Sequence, residues 1–252
     1  MRFFLTLSYK GTAYHGWQIQ PNAVSVQQAL QDALSVLLRD KIEVVGAGRT
    51  DTGVHAAYYV AHFDTESEKL LDKDHFRYHL NALLPKDIAV SVIRPVKDDA
   101  HARFDASLRE YKYYISQAKN PFQTDTAYCY PLTLDMDRMN EAADTLKEYT
   151  DFESFCKLHA NNKTTICHIR ESVWKKEGDM LVYTVSADRF LRNMVRAIVG
   201  TLIDVGRGKI DMSQFRQIIE AKDRCAAGSS APAHGLFLTN VHYPEELFQE
   251  KN

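Results

Sequence analysis

Gly46-Ala47-Gly48-Arg49-Thr50-Asp51-Thr52-Gly53-Val54-His55-Ala56 places one carboxylate, Asp51, in a loop with three glycines, two residues beyond an arginine. The flanks decide what the loop is. Before it, Ile42, Val44 and Val45 form a short apolar run that predicts a strand. After it, Val54, Ala56, Tyr58, Val60 and His62 fall on one parity, and Ala57, Tyr59, Ala61 and Phe63 on the other. Such a segment is expected to be a strand that is apolar on both faces. Two buried strands joined by a tight glycine turn would hold Asp51 at a sheet edge, with Arg49 close enough to keep it ionised. A nucleophilic or general-base carboxylate is built that way. A hairpin turn with an exposed Asp stays open on this loop alone, although it leaves Arg49 and Asp51 between glycine pairs unaccounted for.

A nucleotide-binding loop is the rival. Gly46-x-Gly48 begins a G-x-G-x-x-G pattern, but Asp51 stands where the third glycine belongs. A dinucleotide loop must also open a helix whose N-terminus receives the pyrophosphate, whereas the segment after Gly53 has period 2. No Gly-Lys-Ser/Thr follows, so the Walker form fails as well. A nucleotide-dependent oxidoreductase is therefore disfavoured.

Working outward, residues 2–9 alternate as a strand with Phe3, Leu5, Leu7 and Tyr9 on one face. Ser25-x-x-Gln28 is a capping-box start for a helix carrying Val26, Ala29, Leu30, Ala33, Leu34, Leu37 and Leu38 at helical spacing. A helix over residues 74–84 stops at Pro85, and a strand follows with Ile88, Val90 and Val92 on one face. The second half repeats the order. It has a strand over 109–116, a helix over 137–149, strands over 166–174 and 181–187, a long helix over 189–205, a helix opened by Asp211-x-x-Gln214, and a last strand over 236–241.

The expected fold class is α/β (α+β), with two ferredoxin-like β-α-β-β-α-β halves at residues 1–105 and 106–252. They are expected to form one extended, mostly antiparallel sheet with helices packed on it and an active-site cleft at the junction. The first half carries the Asp loop, and the second carries a tyrosine strand and an arginine helix. No Pro-, Gly- or Ser-rich linker separates them, and the repeat is of pattern only.

In Arg109-Glu110-Tyr111-Lys112-Tyr113-Tyr114-Ile115, Tyr111, Tyr113 and Ile115 share one strand face. Tyrosines on strands usually only pack, but a phenol flanked by cations also suits stacking on a nucleobase. Arg189, Arg192 and Arg196 fall at i, i+3 and i+7, an expected stripe along an otherwise apolar helix. That stripe suits a cleft where guanidinium groups meet carboxylate or phosphate. His75 and His79 have the i, i+4 spacing of metal ligands but lack the Glu of H-E-x-x-H and a third ligand, so no metal is expected and both read as helix-surface residues. Cys129, Cys156, Cys167 and Cys225 are scattered, with neither a zinc pair nor a disulfide framework.

With 45% hydrophobic and 25% charged residues, the 252-residue chain has the composition of an ordinary globular protein. No apolar run approaches the roughly 20 residues of a membrane helix, and residues 1–5 show no signal-peptide pattern. A cytoplasmic protein with no membrane partner is expected. The net charge of −2 gives no global case for nucleic acid, so an anionic substrate needs a local basic cluster.

Six blocks in order resemble the tRNA pseudouridine synthase A family from about Leu5 to Pro244. They are Tyr14-His15-Gly16-Trp17-Gln18, residues 48–56, His101-Ala102-Arg103-Phe104, Arg109-Glu110-Tyr111-Lys112-Tyr113, Met194-Val195-Arg196-Ala197-Ile198-Val199-Gly200 and Ala231-Pro232-Ala233-His234-Gly235-Leu236. The chain departs at Thr52, where the family more often has Ala. The resemblance implies isomerisation of uridine to pseudouridine in the tRNA anticodon stem-loop, at tRNA positions 38, 39 and 40. It implies no cofactor, no metal and a homodimer whose protomers jointly hold the tRNA. It also implies that Asp51 is the catalytic nucleophile and that Tyr111 stacks on the uracil. Arg196 then pairs with Asp51, Arg49 fills the space near the extruded base, and Leu236 lines the pocket. Extrusion costs a few kcal/mol, which such contacts offset in part. A non-catalytic RNA-binding protein with tandem recognition-motif-like sheets is the alternative, and it gives no reason for Asp51.

Overall fold

Alternation over the first residues produces strand β1 (Arg2–Tyr9), in which Phe3, Leu5, Leu7 and Tyr9 are buried. Its other face is not left bare. Phe4 is also buried, packed edge-on against Tyr243 and Phe248 and stacked on His62. The computed structural model describes residues 1–158 and 163–248 of the chain. Two units divide it, Met1–Ser107 joined by the chain from Leu238 onward, and Leu108–Phe237.

In the first unit, helix α1 (Val26–Leu38) begins where the Ser25 side chain accepts from the Gln28 N–H at 3.2 Å. Only half of the expected capping box forms, because the Gln28 amide turns to Asp32 instead. The apolar run at 42–44 does not become a strand; β2 is only Val45–Gly46. Polar side chains of α1 claim its backbone first. Ile42 N–H donates to Ser35 Oγ and Val44 N–H to Gln31 Oε1, while Gln27 Nε2 donates to Val44 O. Ile42 and Val44 are still buried, so the hydrophobic signal is correct and only the pairing differs. Strand β3 (His55–Asp64), helix α2 (Lys73–Leu83) and strand β4 (Ile88–Val96) follow. β1 lies between β3 and β4, antiparallel to both, and β2 pairs with β3. This is the split β-α-β arrangement that the order of elements predicts.

The second unit opens with β5 (Leu108–Ser116), and β6 (Tyr128–Cys129) runs parallel to its last residues. Helix α3 (Met136–Thr145) is shorter than expected because its last turn tightens to a 3-10 turn at Leu146–Glu148. Strands β7 (Ile169–Glu177) and β8 (Met180–Ala187) form a hairpin, with β8 between β5 and β7, antiparallel to each. Helix α4 (Met194–Gly206) is buried along most of its length. Helix α5 (Met212–Glu220) has the full reciprocal capping box between Asp211 and Gln214. Strand β9 (Leu236–His242) carries the chain across the division at Phe237 and Leu238. Both units are thus α/β: β1 pairs antiparallel with β3 and β4 in the first, and β8 with β5 and β7 in the second, where β5–β6 is parallel.

Candidate active site

The Asp51 loop leaves β2 at Gly46 and enters β3 at His55, and its backbone is fastened along its length. Ala47 N–H donates to Val60 O at 2.8 Å. The Tyr59 hydroxyl donates to Gly48 O at 2.5 Å and accepts from Gly48 N–H. The Tyr9 hydroxyl bonds Thr50 Oγ1 at 2.9 Å, Gly53 N–H donates to Tyr14 O, and Val54 N–H closes back onto Asp51 O. Beneath the loop Trp17 stacks on Tyr59 with ring centroids 4.1 Å apart. Gly16 lets this floor approach: its φ is +86°, and a Cβ there would lie 2.2 Å from Thr50 O. The buried His55 Nδ1 accepts from Gly11 N–H at 2.9 Å. Tyr14 donates to Asp87 at 2.6 Å, and burial followed by that bond raises its phenol pKa.

Tyr14-His15-Gly16-Trp17-Gln18 is therefore scaffolding for the carboxylate loop. Sequence reasoning could have found part of this in the parity of β3, which puts Tyr59 on a buried face. Asp51 itself is half-buried. Arg49 is exposed and forms no ion pair with Asp51 among the described residues, so the charge pairing expected from their spacing is not made within this unit.

In the second unit burial grades along the β5 tyrosines. Tyr113 is fully buried and donates to Pro232 O at 2.8 Å, with its pKa raised by burial. Tyr111, two residues earlier on the same face, is half-buried and meets Phe190 edge-on at 5.1 Å. It lies opposite Val185 in the β5–β8 register. Packing accounts for Tyr113 and leaves part of Tyr111 uncovered.

The expected stripe of three arginines on one helix does not form. Asn193 takes left-handed backbone (φ 66°), and the Arg192 carbonyl is bonded by Lys157 N–H, so α4 starts only at Met194. Arg189 and Arg192 precede the helix, and Arg196 alone is on it. Arg196 is clamped to the segment ahead of β9: its Nε donates to Ala231 O at 2.7 Å, and Ala231 N–H donates back to Arg196 O at 2.9 Å. The close approach depends on Gly200, where a Cβ would lie 1.8 Å from Ser229 O. Leu236, the first residue of β9, is buried. Of the five residues singled out, Asp51 and Arg49 thus belong to the first unit, and Tyr111, Arg196 and Leu236 to the second.

His75 and His79 are exposed on α2, with ring nitrogens 3.1 Å apart. Among the described residues no group of three or more His, Cys, Asp or Glu is placed to hold a metal ion. Likewise no helix among them is long and apolar enough to cross a membrane.

The first unit thus carries a half-buried carboxylate on a braced glycine loop, and the second a half-buried tyrosine on a strand and an arginine in the first turn of a helix. The model of a family described as tRNA pseudouridine synthase matches residues 6–105 and 142–244. Relatives named tRNA pseudouridine synthase A are 58% identical in Bacteroides thetaiotaomicron, 56% in Parabacteroides distasonis and 44% in Bacillus subtilis. The alignments cover 99%, 98% and 96% of this chain and 93%, 98% and 99% of the respective relatives. The chain belongs to the tRNA pseudouridine synthase family.

Proposed function

We propose that this chain, an isomerase of the tRNA pseudouridine synthase family, acts on the anticodon stem-loop at tRNA positions 38, 39 and 40. In this reading Asp51 is the nucleophile and no cofactor takes part. The bracing of the Asp51 loop carries the reading: six backbone or phenol hydrogen bonds hold a half-buried carboxylate on a loop. An ordinary surface turn has no use for such support, whereas a catalytic group must be held within a fraction of an ångström of its target.

The reaction breaks the bond from ribose C1′ to uracil N1, turns the base, and joins C1′ to C5. The C5 proton leaves and N1 gains one, so no electrons are exchanged and no redox partner is needed. Tyr111 supplies the stacking face for the turning uracil, and Leu236 an apolar wall. Arg196 pairs with the Asp51 carboxylate. Arg49 then occupies the space left by the extruded base. The active form is a cytoplasmic homodimer in which both protomers hold one tRNA.

The test is tritium release from [5-³H]uridine-labelled tRNA without added cofactor. Wild type should release tritium. Asp51→Ala should fold and bind tRNA with turnover lowered by at least about 1,000-fold, about 4 kcal/mol of transition-state stabilisation. Turnover near wild type would remove Asp51 from the chemistry. Tight binding with no release by either protein would instead favour an RNA-binding protein without catalysis. Tyr111→Phe should lose less than Tyr111→Ala if the ring rather than the hydroxyl matters.

A further inference from the structure

The block His101-Ala102-Arg103-Phe104 has no part in the chemistry above, yet it is among the most firmly tied turns in the first unit. His101 N–H donates to Asp105 Oδ2 at 2.7 Å, and Asp105 N–H returns to His101 O at 3.1 Å. His101 Nδ1 accepts from the N–H groups of both Arg103 and Phe104. Ala102 N–H donates to the buried His62 ring, and its carbonyl accepts from the Tyr243 hydroxyl. Arg2 Nη1 secures Ala100 O from the other side.

At the tip of this fixed turn Phe104 is 74% exposed. One side of its ring meets the His101 imidazole, with centroids 4.2 Å apart and planes 32° from parallel. The Arg103 guanidinium lies 5.6 Å from the ring centroid. Holding a phenylalanine largely in water forfeits most of the roughly 2 kcal/mol that burial would contribute. The backbone bonds of the turn fix the Cα from which this ring projects.

We infer that Phe104, flanked by His101 and Arg103, is a preformed stacking platform for an unpaired or extruded nucleobase of bound RNA. The Arg103 guanidinium lies over the ring and sets a positive charge beside it. The inference rests on the reading of the protein as a tRNA enzyme. The chemistry selects RNA over a protein partner because the platform is one ring beside a cation. A stable protein interface needs a contiguous apolar patch, whereas a base needs one aromatic face and its phosphate one positive charge. Stacking on Phe104 is indifferent to base identity, since every base has a π-face. It therefore strengthens tRNA binding without choosing which uridine reacts.

Tritium release and equilibrium tRNA binding, measured together on wild type and position-104 variants, test this. Phe104→Ala should weaken tRNA binding about 5- to 100-fold. KM should rise by a similar factor for every tRNA tested, with kcat within about twofold of wild type and the thermal transition unchanged. Phe104→Trp should retain affinity, and its exposed indole should be quenched on addition of tRNA. The native Trp17 and Trp174 are buried, and wild type titrated in parallel gives their contribution.

Affinity and KM of Phe104→Ala within twofold of wild type would overturn the platform while leaving the proposed function intact. So would an altered oligomeric state with unchanged tRNA affinity. Should Phe104→Ala fail to fold, the Phe104→Trp quench decides, and no quench overturns the inference. Wild type that binds tRNA but releases no tritium defeats the functional reading, and the platform then stands or falls on the binding data.

Discussion

The two units hold their candidate side chains by different means. In the first, Asp51 sits on a loop, and side chains from elsewhere in the unit reach in to fix its backbone: Tyr59 on Gly48, Tyr9 on Thr50, and Trp17 stacked beneath. In the second, Tyr111 and Arg196 sit on a strand and in the first turn of a helix, which need less help. There the bracing goes to the irregular segment before β9, through the Arg196–Ala231 clamp and the Tyr113 bond to Pro232. Tyr59 in the first unit and Tyr113 in the second each brace an irregular stretch. An acid that must be placed accurately on a loop needs a scaffold from distant sequence, whereas a residue on a regular element inherits its position from the backbone pattern.

The sharpest way to break this comparison is to remove the two phenolic hydroxyls in turn. Tyr59→Phe should lower kcat by about 100-fold through misplacement of the Asp51 loop, with KM little changed. Tyr113→Phe should mainly cost stability, about 1–3 kcal/mol for a buried carbonyl left unpaired, with kcat affected less. Steady-state kinetics beside urea unfolding separates the two, and equal effects on kcat would erase the proposed asymmetry.

A smaller effect should come from pH and fall on the first unit. Burial lowers the His62 pKa to about 4, from 6.5 in the unfolded chain, with the Arg2 charge adding to it. Its ring accepts the Ala102 N–H, which requires the unprotonated nitrogen. Because the folded pKa lies below the unfolded one, the unfolded chain takes up the proton first as pH falls. Stability is then full above about pH 6.5 and is lost progressively toward about pH 4, by about 2 kcal/mol between about pH 7 and about pH 5. His62→Gln should flatten this dependence in urea titrations. An unchanged slope would assign the pH response to other groups.

The smallest expected effect concerns helix starts. Ser25 makes half a capping box and Asp211 a complete one. Asp211→Ala should therefore cost about 1 kcal/mol and Ser25→Ala somewhat less, read from denaturation midpoints.

Much of this was legible from residue order. Period-2 alternation located β1, β3, β4 and β5, and helical spacing located α1 and α5, because burial on one face imposes those periods. Elements failed where a local signal competed with a distant partner. Residues 42–44 have the apolar content of a strand, but their backbone groups were claimed by Ser35, Gln31 and Gln27 of α1. Residues 189–193 have helical periodicity, but left-handed Asn193 and the bond to the Arg192 carbonyl delay α4 and dissolve the arginine stripe. The candidate residues Asp51, Tyr111 and Arg196 could be named from their motifs. The braces that hold them could not, since Tyr59 gives no local sign that its hydroxyl will meet Gly48.

By itself the sequence determined the alternation of strands and helices, the α/β class and the family to which the chain belongs, because these depend on residue type at short spacing. Tertiary structure alone decided which polar groups capture which backbone. It made Trp17 and Gly16 the floor of the Asp51 loop and left Phe104 standing in water. Those outcomes depend on contacts between residues tens of positions apart, where hydrogen bonds must be satisfied in three dimensions and periodicity carries no information.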